Sequence, residues 1–194
     1  MPNYILNSTC YLDYVDHPCS PTNAYTYENP YHNWQHITQM LRDADQIDLE
    51  FDPNLLFAIM YHDALYDGKP DNERRSASYA ETMLGWHTPS GVSIPKVKSL
   101  IMSTVTHSLS EQEEDPRLIK LDLMAIAIPN RLKNYNQRVI EEACKLHNMQ
   151  EKDLIPFRYK FLRRFQRTML NNYNQTCDPY WQSVYDGIET LLKV

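Results

Sequence analysis

Along this chain apolar residues recur at spacings of three and four rather than two, the period of a helix with one buried stripe. Ile37, Met40, Leu41 and Ala44 form such a stripe within 33–46, with His36 one turn before Met40. The run 53–66 opens with Pro53 at a first-turn position and continues with Leu55, Leu56, Ala58, Ile59 and Met60, apolar nearly all round, so it predicts a central helix. A turn at Asp67-Gly68-Lys69-Pro70 leads to Asp71 or Asn72 as the cap of a helix ending about Leu84, and Trp86 to Ser93 reads as loop. Pro95 begins a helix with Val97, Leu100, Ile101, Thr104 and Val105 on one face, ending near His107. After an acidic, solvated connection over 111–115, Asp115-Pro116 starts a short helix to about Ile128, where Pro129 stops it. Three further helices follow: Arg131 to Leu146, Asp153 to Tyr173, and Tyr180 to Leu192 after the Asp178-Pro179 start. The stripe Phe157, Phe161, Phe165 and Met169 reads as core at helical spacing.

The expected fold is therefore all-α, a single-domain bundle of about seven to nine helices over 31–194. Residues 1–30, rich in Tyr, Pro, Asn and Ser, form an arm packing on it. A length of 194 residues suffices for one substantial core. The presence of only four glycines argues further against strands and phosphate-cradling loops. A formal net charge of −6 and no contiguous Lys/Arg block leave duplex nucleic acid repelled, whereas a small anion bridged by a metal is acceptable. Cys10, Cys19, Cys144 and Cys177 show no CxxC spacing and read as reduced thiols. No stretch approaches the ~20 apolar residues of a membrane span, and the expected compartment is the cytoplasm.

The chemistry concentrates in Tyr31-His32-Asn33-Trp34-Gln35-His36 and Tyr61-His62-Asp63. His32 and His36 share a face if their helix begins early enough, while His62 and Asp63 stand about 100° apart on an ideal helix. An Asp inside an apolar helix is costly unless something pairs with it, and a divalent cation is an economical partner. A bland alternative exists: a lone His-Asp pair often just ends a helix, and an Asp such as Asp122 is most often solvated. A mixed set of imidazoles and carboxylates suits Mn, Fe, Co, Ni or Zn better than Mg.

The order His36, His62-Asp63, Asp122 resembles the HD superfamily of metal-dependent phosphohydrolases. YHNWQHI, AIMYHDALYD, NERRSA, STVTH and LDL resemble the small bacterial members known only as predicted phosphohydrolases, across most of 31–175. YHNWQH is also similar to a signature of cyclic-nucleotide phosphodiesterases. The resemblance implies that His36, His62, Asp63 and Asp122 hold at least one divalent ion, that Asp63 orients the attacking water, and that His32 protonates the leaving oxygen. It further suggests Glu73 as a base or water-orienting group and places His107 in the pocket that contacts substrate. Lys120 stands where the family usually has the first Asp of Asp-x-Asp-Leu, which weakens the case for a second metal. Ile140 stands where an Arg is usual, and Glu142 is kept. The implied function is hydrolysis of a nucleotide or similar small phosphate ester through a metal-activated water. The alternative is a non-catalytic module that binds a nucleotide or a partner on the same fold. No membrane or duplex partner is expected, and a homo-oligomer is left open.

Overall fold

The computed structural model describes residues 18–25, 28–46, 52–109 and 115–193. Among them are nine α-helices, one 3-10 turn at Thr22–Ala24 and no strand, as the apolar periodicity predicts. In chain order they are α1 (Trp34–Gln46), α2 (Pro53–Tyr61), α3 (Asn72–Trp86), α4 (Ile94–Ser103), α5 (Arg117–Asp122), α6 (Met124–Ala127), α7 (Pro129–His147), α8 (Glu151–Thr176) and α9 (Pro179–Leu191). None is long and apolar enough to cross a membrane. Cys144 and Cys177 are free thiols and Cys19 is buried, while Cys10 and most of the expected acidic connection at 111–114 lie outside the described residues.

The Asp178-Pro179 start holds as expected and Asp52 caps the helix at Pro53 in the same way, but at Asp115-Pro116 the cap position falls on Pro116 itself and no side chain caps α5. Asp52 accepts hydrogen bonds from the N–H groups of Asn54 and Leu55 at 2.8 and 3.1 Å, and Asp178 accepts from Tyr180 at 2.9 Å. Several boundaries differ from expectation. α2 stops at Tyr61 rather than Tyr66, because Ala64 N–H turns back to Tyr61 O (3.0 Å) and tightens the last turn. α4 ends at Ser103, so His107 lies beyond it, and Val105 is half exposed rather than on the buried face. The expected helix 116–128 breaks at Leu123 into α5 and α6, and Pro129 opens α7 at its first position. Trp86 ends α3 rather than starting a loop. Neither Asp71 nor Asn72 caps α3 through its side chain: Asp71 has φ 61°, not the extended backbone from which a cap side chain reaches the first turn.

Two apolar clusters fill the interior. One joins α1 to α4, with Leu55 to Tyr61 of α2 buried without interruption, which explains why that helix is apolar all round. The other joins α6 to α9 through Ile126, Leu132, Leu162, Phe165, Met169, Trp181, Val184 and Ile188. α5 belongs to both: Leu118 and Leu121 enter the first cluster and Ile119 the second. Each fully buried aliphatic or aromatic side chain contributes about 1.5–3 kcal/mol, so this short helix is fixed from two sides. Residues 18–25 pack on the first cluster, where Tyr25 Oη donates to Met60 O (2.8 Å), Tyr61 Oη donates to Cys19 O, and Cys19 Sγ donates to His87 O (2.9 Å).

The Phe157–Met169 stripe is only half core. Phe165 and Met169 are buried, but Phe157 and Phe161 are 64% and 57% exposed, because the N-terminal half of α8 carries these rings on a face that no other described helix covers.

α6 and α9 approach so closely that a Cβ on Gly187 would meet Ile126 O at 2.2 Å. Gly187→Ala is expected to lower stability by about 1–3 kcal/mol or more in a denaturant titration, with helical content retained. A second expectation concerns Arg117, which donates to Asp115 (2.8 and 2.6 Å) and Asp52 (2.7 Å). Burial pushes the Asp115 carboxyl up, but the Arg117 hydrogen bonds outweigh it and hold the group down at about 2. Its stabilising contribution is thus present above the unfolded value of about 4 and is lost as pH falls toward 2. Unfolding curves across that range should show Arg117→Met less stable than wild type at pH 7, with the gap narrowing as pH falls below about 4.

Candidate metal centre

The first part of the site is assembled at the entry to α1. Asn33 Oδ1 accepts from the N–H groups of Gln35 and His36 at 2.9 and 3.3 Å and so caps the helix, which places His36 in the first turn. His32 lies before the helix, so it does not share a helical face with His36. It reaches the same place because Glu142 of α7, itself buried, accepts from the backbone N–H groups of Tyr31 and His32 at 2.9 and 2.8 Å. The end of α2 supplies the second part. His62 and Asp63 follow the last helical residue, and the tight turn there lets two adjacent side chains converge where a regular helix would splay them. Asp122, the last residue of α5, supplies the third.

One ligand atom from each of His36, His62, Asp63 and Asp122 lies within 4.8 Å of the others, so this group can hold a metal ion. His36 Nε2 is 3.2 Å from Asp122 Oδ1 and 3.7 Å from Asp63 Oδ2, and His62 Nε2 is 3.7 Å from Asp122 Oδ1. His62 Nε2 and Asp63 Oδ2 approach to 2.8 Å without hydrogen-bond alignment, and both are buried with no hydrogen-bond partner among the described residues. Two orphaned polar atoms side by side are expensive in a protein interior, and a cation between them removes the cost. His62 is also prepared as a ligand. Its Nδ1–H donates to Ile59 O (2.9 Å), which leaves the Nε2 lone pair of the neutral ring facing the cluster.

Burial opposes charge on Asp122 and on His62 alike, yet hydrogen bonds from His107 and His36 hold the Asp122 carboxyl far below its ordinary range, and the Asp63 charge raises the His62 imidazole. Burial likewise opposes the Asp63 anion, and the His62 and His32 charges outweigh it. Two carboxylates and two imidazoles thus match a divalent ion in charge, and binding one would release protons.

The edge of the cluster that faces solvent carries two more histidines. His32 Nδ1 donates to Glu142 Oε1, its ring stacks on Tyr66 with centroids 3.7 Å apart, and its Nε2 points back to Asp63 Oδ2 at 4.0 Å. His107 Nε2 donates to Asp122 Oδ2 at 2.9 Å. Its φ of 52° is a strained conformation for a residue with a Cβ. Buried Asn172 of α8 holds it there, donating to His107 O and accepting from Leu109 N–H, both at 2.9 Å. The His107 side chain thus borders the cluster, while its backbone N–H donates to Ser103 O at the end of α4 (3.3 Å).

Glu73 stands apart from this group, in the first turn of α3, with no side-chain hydrogen bond or ion pair among the described residues. It lies near Tyr66, whose phenol is raised mainly by burial, with the charge of Glu73 adding to it. Lys120 turns away from the cluster to pair with Asp178. Sequence reading missed Asn172 and the pairing role of Glu142. A faint signal existed for Asn172, a polar residue in register with the Phe165–Met169 stripe, but nothing local tells which helix Glu142 faces.

Titration with Mn²⁺, Co²⁺ or Ni²⁺ should raise the unfolding temperature of the wild-type chain, with about 2.7 kcal/mol gained at a hundredfold excess over Kd. Asp122→Asn should lose most of that gain while staying folded, and elemental analysis of the purified chain should follow the same order. No family model, no curated protein and no solved structure matches this chain, so what the cluster does has to be argued from its own geometry.

Proposed function

We propose that this protein is a metal-dependent phosphohydrolase acting on a nucleotide or similar small phosphate ester. The observation that carries the reading is the aim of His32: Glu142 fixes its Nδ1, Tyr66 fixes its plane, and its Nε2 faces the same carboxylate that borders the candidate ion site. A structural histidine has no need of three restraints directed at one atom. A proton donor does, because proton transfer requires hydrogen-bond reach and a fixed direction. A divalent ion held by His36, His62, Asp63 and Asp122 would supply neutralisation of phosphoryl charge and a lowered pKa for water.

The chain's own residues then divide the work. Asp63 orients the attacking water, which gives up a proton to solvent, its acidity being what a divalent ion there would raise, and forms the new bond to phosphorus. The bond from phosphorus to the ester oxygen breaks on the opposite side, and His32 Nε2–H delivers a proton to that oxygen as it leaves. Burial lowers the His32 pKa, but the Asp63 charge and then the Glu142 hydrogen bond more than reverse this and raise it. His107, joined to Asp122, stands where a substrate oxygen at the open edge can be reached. Monoesters and cyclic diesters both fit, since positioning and charge neutralisation serve either. The resemblance of Tyr31 to His36 to nucleotide phosphodiesterases favours nucleotides.

The purified chain with Mn²⁺, Co²⁺ or Ni²⁺ should hydrolyse some member of a panel of nucleotides and cyclic nucleotides. His32→Asn should lower kcat by about 10²–10⁴ on alkyl esters without weakening metal binding. On a p-nitrophenyl ester, whose leaving group needs no proton, the loss should be much smaller, and Glu142→Gln should show the same contrast in milder form. Wild type and Asp63→Ala equally inert across the panel, yet both binding a nucleotide, would assign the fold to a non-catalytic binding module.

A further inference from the structure

The N-terminal half of α8 carries exposed aromatic rings among cations. Phe157, Tyr159 and Phe161 are exposed there, and the sequence from 157 to 167 interleaves them with five cations, Arg158, Lys160, Arg163, Arg164 and Arg167, and no acid. This occurs in a chain of net charge −6. Glu151 and Asp153 lie N-terminal to the stripe, in the first turn, where acids complement the helix end. Arg163 reaches Glu189 at 3.7 Å, and Arg158 hydrogen-bonds the neutral Asn136 at 2.7 Å. Lys160, Arg164 and Arg167 have no carboxylate partner among the described residues. By helical spacing Phe157, Phe161 and Arg164 form one line, with Lys160 and Arg167 beside it.

The stripe also leads somewhere. Phe161 stacks on Phe165, with centroids 5.6 Å apart and planes 15° from parallel. Phe165 meets the His107 ring edge-on at 5.3 Å, and His107 Nε2 is 2.9 Å from Asp122. A continuous ladder of rings thus runs from an exposed aromatic and cationic face to the open edge of the candidate metal centre.

We propose that this face of α8 binds single-stranded oligonucleotide and that the strand lies with a phosphodiester at the metal centre. Exposed flat rings offer a stacking surface to unpaired bases, which a duplex hides within itself, and the unpaired cations spaced along the same helix match a repeating phosphate charge. A lone phosphate ester would use the metal and leave Phe157, Lys160, Arg164 and Arg167 without purpose. That the bound strand is cut rests on the phosphohydrolase reading; that it binds does not.

Binding is read by fluorescence anisotropy of a labelled single-stranded oligothymidylate about twelve nucleotides long, on the full chain, with the divalent ion chelated so that nothing is cleaved. Wild type should bind, with affinity falling steeply as salt rises. Phe161→Ala should weaken binding about tenfold, and Lys160→Ala with Arg164→Ala should weaken it and flatten the salt dependence. These positions are exposed, so circular dichroism should be unchanged and the unfolding temperature should fall by a few degrees at most, for Phe161→Ala through loss of its stack on Phe165. With metal restored, Phe161→Ala should slow cleavage of the strand far more than hydrolysis of a p-nitrophenyl ester. The proposal is overturned by absent binding, by variants that bind like wild type, or by a duplex or a mononucleotide binding as tightly as the strand. It is equally overturned if Phe161→Ala abolishes self-association seen by light scattering, or binding to phosphatidylglycerol vesicles, while strand binding is absent. Nucleotide hydrolysis without strand binding sinks this inference alone, and strand binding without any hydrolysis sinks the enzyme reading alone.

Discussion

Two carboxylates, buried Asp63 and partly buried Asp122, stand within a few ångströms of each other, and imidazoles from around the chain compensate that charge. Isolated, either anion would be neutralised by burial. Here imidazoles from four different points of the chain surround them, so that folding and the site's chemistry depend on one electrostatic balance. The residual mismatch is local and specific: His62 Nε2 and Asp63 Oδ2 face each other without a hydrogen bond. That is the feature a divalent ion would resolve, and it explains why such an arrangement is tolerated at the centre of an otherwise apolar interior.

The architecture brings these groups together by ending helices at the right places. α2 is buried along its whole length, and its abrupt end presents His62 and Asp63 together. α5 is a turn and a half that belongs to both apolar clusters, so Asp122 sits at the seam between them. Gly187 contributes from a distance, since only a residue without a Cβ lets α9 close on the carbonyl of Ile126 just beyond α5. Precision at the seam thus comes from packing on both sides rather than from the few hydrogen bonds within the site.

The two solvent-edge histidines are held in different ways. His32 is set by a buried carboxylate that also gathers the backbone before α1, so orientation of the ring and placement of the chain share one residue, Glu142. His107 is held in a strained left-handed conformation by Asn172, a buried polar side chain in the same helix that exposes Phe157 and Phe161 at its other end. One long helix, α8, therefore both positions a site residue and carries the exposed aromatic and cationic face. Conformational strain of this kind persists only where surrounding contacts over-determine it.

By itself the sequence determined that the chain is helical, where most helices begin, and which four side chains belong together. Periodicity and Asp-Pro starts are local properties, and the order His36, His62-Asp63, Asp122 is a pattern that survives without coordinates. It did not determine where every helix stops: the ends of α2 and α4 and the break at Leu123 are set by tight turns that periodicity does not reveal. Only the tertiary structure decided that Glu142 orients His32, that Asn172 holds His107, and that half of the Phe157–Met169 stripe faces outward. The physical reason is the same throughout. Helical spacing assigns a residue to a face of its own helix, but whether that face meets a core, a partner charge or water is set by which other helices cover it.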